Sequence, residues 1–120
     1  EAEFRRLESD VAEELLTRKN TVVASGGGWP AQPGSWKMVT EDTMSVWLQV
    51  SPAVAVRRAS GEGAKRPLLA GGDVLDRATS LLLAREASYR RAGYTLDSEQ
   101  YGPLELADEI MKLMTRQGKT

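Results

Sequence analysis

The chain has 120 residues and a mass of 13.1 kDa, which is enough for one compact domain spanning 1–120. Its 41% hydrophobic and 28% charged residues are typical of a globular protein and unlike a disordered chain. The net charge of -1 lacks the basic excess of nucleic-acid and membrane-surface binders, so we expect neither kind of partner.

The residue types that are absent restrict the chemistry further. With no cysteine and no histidine, the chain has no disulfide, no thiol nucleophile and no imidazole base. Eleven of the sixteen basic residues are arginines, which bind planar anions such as carboxylates and phosphates well. Without a signal peptide or an apolar span, we expect a cytoplasmic protein that acts through arginines, carboxylates, hydroxyls or backbone groups.

Helices and short strands alternate in the predicted secondary structure. The predicted elements, in chain order, are helix 2–17, strand 21–24, short helix 35–39, strand 44–50, helix 52–59, helix 73–92, strand 94–96 and a final helix from Pro103. Within the helix over 73–92 we expect these buried positions: Leu75, Leu82, Leu83 and Tyr89. Strands that alternate with helices favour an α/β fold with a parallel sheet.

Two glycine-rich segments interrupt this pattern. The β-branched run over 21–24 ends at Gly26, Gly27 and Gly28, and the carboxyl end of a parallel strand is where ligands collect. The segment 60–72 contains four glycines and is too long for a plain connection, which is typical of a lid over an active site.

Four motifs occur in a fixed order along nearly the whole chain: Phe4-Arg5-Arg6-Leu7-Glu8, then Gly26-Gly27-Gly28, then Arg66-Pro67-Leu68-Leu69, then Arg85-Glu86 with Tyr89. In this order and at these distances they resemble the shikimate kinase family. The resemblance implies a three-layer α/β/α, P-loop kinase-like fold. It also implies transfer of the ATP γ-phosphate to the 3-hydroxyl of shikimate, in aromatic amino-acid biosynthesis.

The resemblance also implies roles for the substrate-side residues. Arg5 and Arg85 would bind the carboxylate of shikimate, because a guanidinium pairs with both carboxylate oxygens in one plane. The three glycines would let backbone N–H groups approach the substrate, with Gly27 as the main contact. The simpler interpretations are that Arg5 only pairs with Glu8 on a solvated helix surface and that the glycines form a plain turn.

The nucleotide-side residues follow from the same resemblance. Arg66, in the lid, would be catalytic and would contact the phosphates of ATP, where charge shifts during transfer. Arg58 would stack on adenine, and Tyr101 would lie beside it in the last loop. The simpler interpretation of Arg66 is a solvated residue in a loop.

The resemblance is incomplete at the amino-terminal end. A shikimate kinase begins with a strand, a phosphate loop of the form G-x-x-x-x-G-K-[ST] and a helix, and none of these precedes Glu1. We therefore interpret the chain as an N-terminally truncated kinase domain that is inactive by itself, from a monomeric full-length protein. The Mg²⁺ ligands would lie in the absent segment, so we assign no metal ligand.

Two alternatives remain open at this point. The chain could be a non-catalytic kinase-like module that binds a small carboxylate or a protein partner. It could also belong to a gluconate or nucleotide kinase, which would share the fold without needing all four motifs. The two alternatives to a shikimate kinase differ from it in shikimate binding or in turnover.

Overall fold

The computed structural model describes residues 1–62 and 71–117. The helices are α1 (Ala2–Leu15), α2 (Pro52–Glu62), α3 (Gly71–Tyr89) and α4 (Pro103–Arg116), the strands are β1 (Val46–Gln49) and β2 (Tyr94–Asp97), and two short 3-10 helices span Trp29–Ala31 and Ser35–Met38. Arg66 and the centre of the predicted lid lie outside the described residues. The chain divides into two compact units, 1–45 and 46–120.

The first unit contains α1 and the two 3-10 helices. Alanine and leucine favour the helix, and α1 packs against the first 3-10 helix through a small core. Trp29 is 7% exposed, and Ala12 of α1 is also buried. The chain between these elements carries the three consecutive glycines.

The second unit contains a two-stranded parallel sheet whose strands are connected through α2 and α3. Val46 pairs with Tyr94 and Gln49 with Asp97, so the carboxyl ends of both strands lie at the same edge. Helix α2 packs against α3. The Trp47 ring of β1 lies 5.7 Å from the Tyr89 ring of α3, so these two aromatic side chains pack against each other.

Most predicted elements are confirmed. The parallel pairing of β1 with β2 confirms the α/β prediction, and all the predicted helices begin within two residues of the expected position. Pro103 begins α4, where the Gly102 N–H donates a hydrogen bond to Glu105 Oε1 at 2.9 Å. Within the ranges that the structure describes, no helix has both the length and the apolar character needed to cross a bilayer.

The predicted strand over 21–24 is wrong. A strand exists only where its backbone forms a ladder with a neighbour, and this segment forms no ladder with the described residues. Val22 is 91% exposed. The β-branched run therefore has no regular secondary structure, and the three glycines follow coil rather than a strand.

Two of the expected buried positions in α3 are also wrong. Leu83 is 70% exposed and Leu75 is 38% exposed, whereas Leu82 and Tyr89 are half-buried. Residues spaced by three and four share one helix face, and Leu82 shares its face with Tyr89. Leu83 is rotated about 100° from Leu82 around the helix axis, so it points away from that face.

Candidate functional site

Arg5 and Glu8 form a half-buried ion pair one turn apart on α1. Arg5 Nη1 donates to Glu8 Oε1 at 2.7 Å, and Arg5 Nε donates to Glu1 Oε2 at 3.1 Å. No acceptor for Nη2 occurs in residues 1–62 or 71–117, so that nitrogen can still donate to a ligand. The expected local pairing with Glu8 is therefore present, but it uses only part of the guanidinium.

The glycine triplet lies directly against this ion pair. A Cβ placed on Gly28 would lie 2.6 Å from Arg5 Nη2 and 2.7 Å from Nη1, and one placed on Gly26 would lie 3.1 Å from Glu8 Oε2. The Trp29 N–H donates to the Gly26 carbonyl at 3.3 Å, which closes the bend. The structure therefore brings together Arg5, Glu8, Gly26 and Gly28 from the two motifs of the first unit.

The electrostatic surroundings keep Arg5 protonated. The hydrogen bond to Glu8, followed by the one to Glu1, raises the pKa of Arg5 above its usual value. A raised pKa means that the protonated form is favoured at every pH below that value, which includes the whole neutral range. Arg5 is thus a permanent cation with a free donor, suitable for binding a carboxylate.

Arg85 occupies a different environment in the second unit. It is half-buried on α3 and lines a shallow hollow between α2 and α3, whose other lining residues are Pro52, Ala55, Ala78, Leu81, Leu82 and Tyr89. It has no ion pair among the residues that the structure describes. A half-buried guanidinium with apolar neighbours and no carboxylate partner can bind a small organic anion.

Arg58 is tied to the loop that follows β2. Its Nη2 donates to the Ser98 carbonyl at 2.8 Å, and buried Ser98 in turn donates from both N and Oγ to the Gln49 carbonyl, at 3.0 and 3.1 Å. Tyr101 is half-buried three residues further along the same loop. The structure therefore connects Arg58 to the loop that carries Tyr101.

The same loop contacts the first turn of α2. Glu99 Oε2 accepts a hydrogen bond from the Ser51 N–H at 2.7 Å, and Ser51 Oγ accepts one from the Val54 N–H at 3.3 Å. The sequence analysis missed Ser98 and Glu99. The sequence pattern that could have pointed to these two residues is a run of three polar residues, beginning with Asp97, at the carboxyl end of a parallel strand.

Two further residues were predicted for the site, Arg66 and Gly27. Arg66 lies outside the described residues, and Gly27 is exposed between Gly26 and Gly28. Within 1–62 and 71–117, no three acidic side chains are grouped so that they could hold a metal ion.

Comparison with known proteins gives one consistent result. The family model for shikimate kinase matches residues 1–115. The chain is 36% identical over 114 residues to the shikimate kinase of Parasynechococcus marenigrum (strain WH8102), which covers 95% of this chain and 59% of that protein. It is 38% identical over 112 residues to the shikimate kinase of Mycobacterium tuberculosis (strain ATCC 25177 / H37Ra), covering 92% and 62% respectively.

A solved structure gives the same result. The shikimate kinase from Acinetobacter baumannii in complex with shikimate superimposes with a TM-score of 0.81 and 30% sequence identity, covering 98% of this chain and 65% of that one. The chain spans less than two thirds of the length of each of these three proteins.

Proposed function

Because the chain belongs to the shikimate kinase family and has its α/β, P-loop kinase-like fold, we propose that it binds shikimate for phosphorylation by ATP. The reaction would transfer the γ-phosphate to the 3-hydroxyl of the substrate. The observation that carries the proposal is the Arg5 guanidinium, which is half-buried, held by Glu8 at 2.7 Å and still has Nη2 as a donor.

Arg5 and Arg85 are proposed as separate carboxylate-binding residues, each supported by its own surroundings. Arg5 is orientated by Glu8, and Arg85 lies beside apolar side chains without a counter-ion in the described part of the second unit. Orientation of a guanidinium before the ligand arrives reduces the entropy lost on binding. Gly26, Gly27 and Gly28 are proposed to border the substrate, as the family resemblance implies.

Arg58, Tyr101 and Arg66 are proposed to act on the nucleotide. Arg58 and Tyr101 would contact adenine, because the Arg58–Ser98 hydrogen bond holds the guanidinium on the loop that contains Tyr101. Arg66 stays a catalytic prediction from the sequence. No Mg²⁺ ligand is proposed among the described residues, in which no three acidic side chains are grouped.

The reaction then depends on positioning and charge. A guanidinium paired with the carboxylate would fix the substrate ring, and a fixed ring presents one hydroxyl to the transferring phosphoryl group. ATP with Mg²⁺ would supply that group. A monomeric full-length protein, a cytoplasmic location and the absence of nucleic-acid and membrane partners stay predictions from the sequence.

The proposal is tested by titration of the chain with shikimate in a calorimeter. We expect saturable binding of shikimate and no binding of its methyl ester, which has the same ring but no carboxylate charge. Absence of shikimate binding, or equal binding of the ester, would contradict the proposal. Shikimate-dependent release of ADP from ATP by this chain would contradict both the non-catalytic module and the interpretation of the chain as inactive by itself.

A further inference from the structure

We infer that Gly28 is a positioning residue whose missing side chain makes room for the Arg5 guanidinium. The closest approach is at this position, since a Cβ on Gly28 would lie 2.6, 2.7 and 2.9 Å from Nη2, Nη1 and Cζ of Arg5. Real Cβ atoms essentially never approach other heavy atoms closer than 3.0 Å. Any side chain at position 28 therefore displaces the guanidinium.

The backbone conformation at position 28 does not require a glycine. Gly28 has φ -86° and ψ -19°, which is right-handed helical backbone that any residue adopts. Gly34, in contrast, has φ 85° and nothing within 4 Å of an added Cβ, so it is required for conformation and not for space. The need for glycine at position 28 is steric, and the neighbour responsible is Arg5.

Gly26 has a weaker form of the same role. An added Cβ there would lie 3.1 Å from Glu8 Oε2, so the carboxylate would have to move only by a few tenths of an ångström. The outer two glycines of the triplet thus accommodate the two members of one ion pair. The triplet contributes to anion binding through Arg5, in addition to any contact of its own backbone with a ligand.

The expected disturbance is local because the displaced atoms belong to the end of a flexible side chain. Alanine at position 28 would push the guanidinium out of line with Glu8 and leave the backbone of the bend in place. The consequence for shikimate affinity rests on the proposed function. The displacement of the Arg5 guanidinium does not depend on the proposed function, so the displacement and the change in affinity can be tested independently.

The test uses the Nε–Hε signal of Arg5 in the ¹⁵N-labelled full chain, assigned by its loss in Arg5→Lys. In Gly28→Ala we expect this signal to shift and to exchange with water about threefold faster or more, because the hydrogen bonds of the guanidinium are weakened. Gly26→Ala should give a smaller change in the same direction. Gly102→Ala is the matched control, since its added Cβ meets only Glu105 Oε1, at 3.8 Å.

An Arg5 signal in Gly28→Ala that matches the unaltered chain would overturn the inference. If Gly28→Ala fails to fold, the double variant Arg5→Ala/Gly28→Ala decides, because removal of Arg5 frees the space. Recovery of folding supports the inference, and continued unfolding overturns it.

Shikimate affinity about tenfold lower in Gly28→Ala would extend the result to binding. A shifted signal in a chain that binds no shikimate would contradict the proposed function alone.

Discussion

At the scale of single residues, Arg5 combines a fixed orientation with a permanent charge. Its guanidinium is held by Glu8 at 2.7 Å, and that hydrogen bond is the first cause of its raised pKa. Because the pKa of Arg5 is raised above its unfolded-state value, its protonated form stabilises the folded chain below that value. This contribution is lost as the pH rises through the folded-state pKa, in strong alkali. Arg5 therefore adds no pH dependence to anion binding in the neutral range.

The role of Glu8 is testable because the loss of its charge and the loss of its orientating hydrogen bond would change shikimate affinity in opposite directions. Removal of a negative charge beside Arg5 would by itself strengthen anion binding. If orientation dominates, Glu8→Ala lowers shikimate affinity about three- to tenfold, whereas Glu8→Gln, which keeps an acceptor oxygen, retains it. Calorimetric titration of both variants decides between them. Tighter binding by Glu8→Ala would show that Glu8 does not position Arg5.

Arg85 has its own test on α3. We expect Arg85→Ala to weaken shikimate binding about tenfold, because a charge-assisted hydrogen bond is lost. Arg77→Ala on the same helix is the control, since Arg77 is exposed and does not line the hollow. Equal affinities of the two variants in the titration would remove Arg85 from the site.

For single residues, the sequence predicted an ion pair within one helix, but it did not predict a contact between distant segments of the chain. The motif Phe4-Arg5-Arg6-Leu7-Glu8 allowed the Arg5–Glu8 pair to be predicted, because residues three apart on a helix are neighbours. The approach of Gly28 to Arg5 could not be predicted, because it depends on how a bend more than twenty residues away packs on α1.

At the scale of elements, helices and paired strands were predicted well because their signals are local. Pro52 and Pro103 stand at the first positions of α2 and α4, where a proline costs no hydrogen bond. The segment 21–24 has a strand-like composition, yet strand formation requires a partner that lies elsewhere in a chain. The composition of the segment carries no information about whether such a partner strand exists.

The hydrogen bonds of Ser98 join β1, α2 and the loop after β2. Because Ser98 is 7% exposed and its Oγ donates to the Gln49 carbonyl, Ser98→Ala should lower the free energy of unfolding by about 1 kcal/mol. Ser80→Ala, on the exposed surface of α3, is the matched control and should leave stability almost unchanged. Urea unfolding measures both, and equal midpoints would show that this hydrogen bond does not stabilise the unit.

At the scale of the whole molecule, much apolar surface is exposed. Among the described residues the buried hydrophobic side chains are Ala12, Trp29 and Leu106, and none of the large ones is fully buried. Within the described ranges, ten large hydrophobic side chains are between 38% and 91% exposed, including Val22 and Leu104. A chain of this length normally buries roughly two thirds of its unfolded surface in a well-filled core.

We therefore expect this chain to be marginally stable or to self-associate, because exposed apolar surface favours association. Sedimentation velocity over a range of protein concentrations should show an average mass that increases with concentration, or thermal unfolding should be broad and of low midpoint. A monomer at every concentration with a sharp, high-temperature transition would contradict this expectation.

Carboxylate binding by Arg5 is tested most directly by comparing shikimate affinity in Arg5→Ala and Arg6→Ala. Both variants remove one guanidinium from α1, but Arg6 is exposed and paired with Glu3 at 2.7 Å, whereas Arg5 is half-buried against Gly28. We expect that Arg5→Ala binds shikimate at least about tenfold more weakly and that Arg6→Ala binds like the unaltered chain. Equal affinities for the two variants would contradict the assignment of Arg5 to the carboxylate.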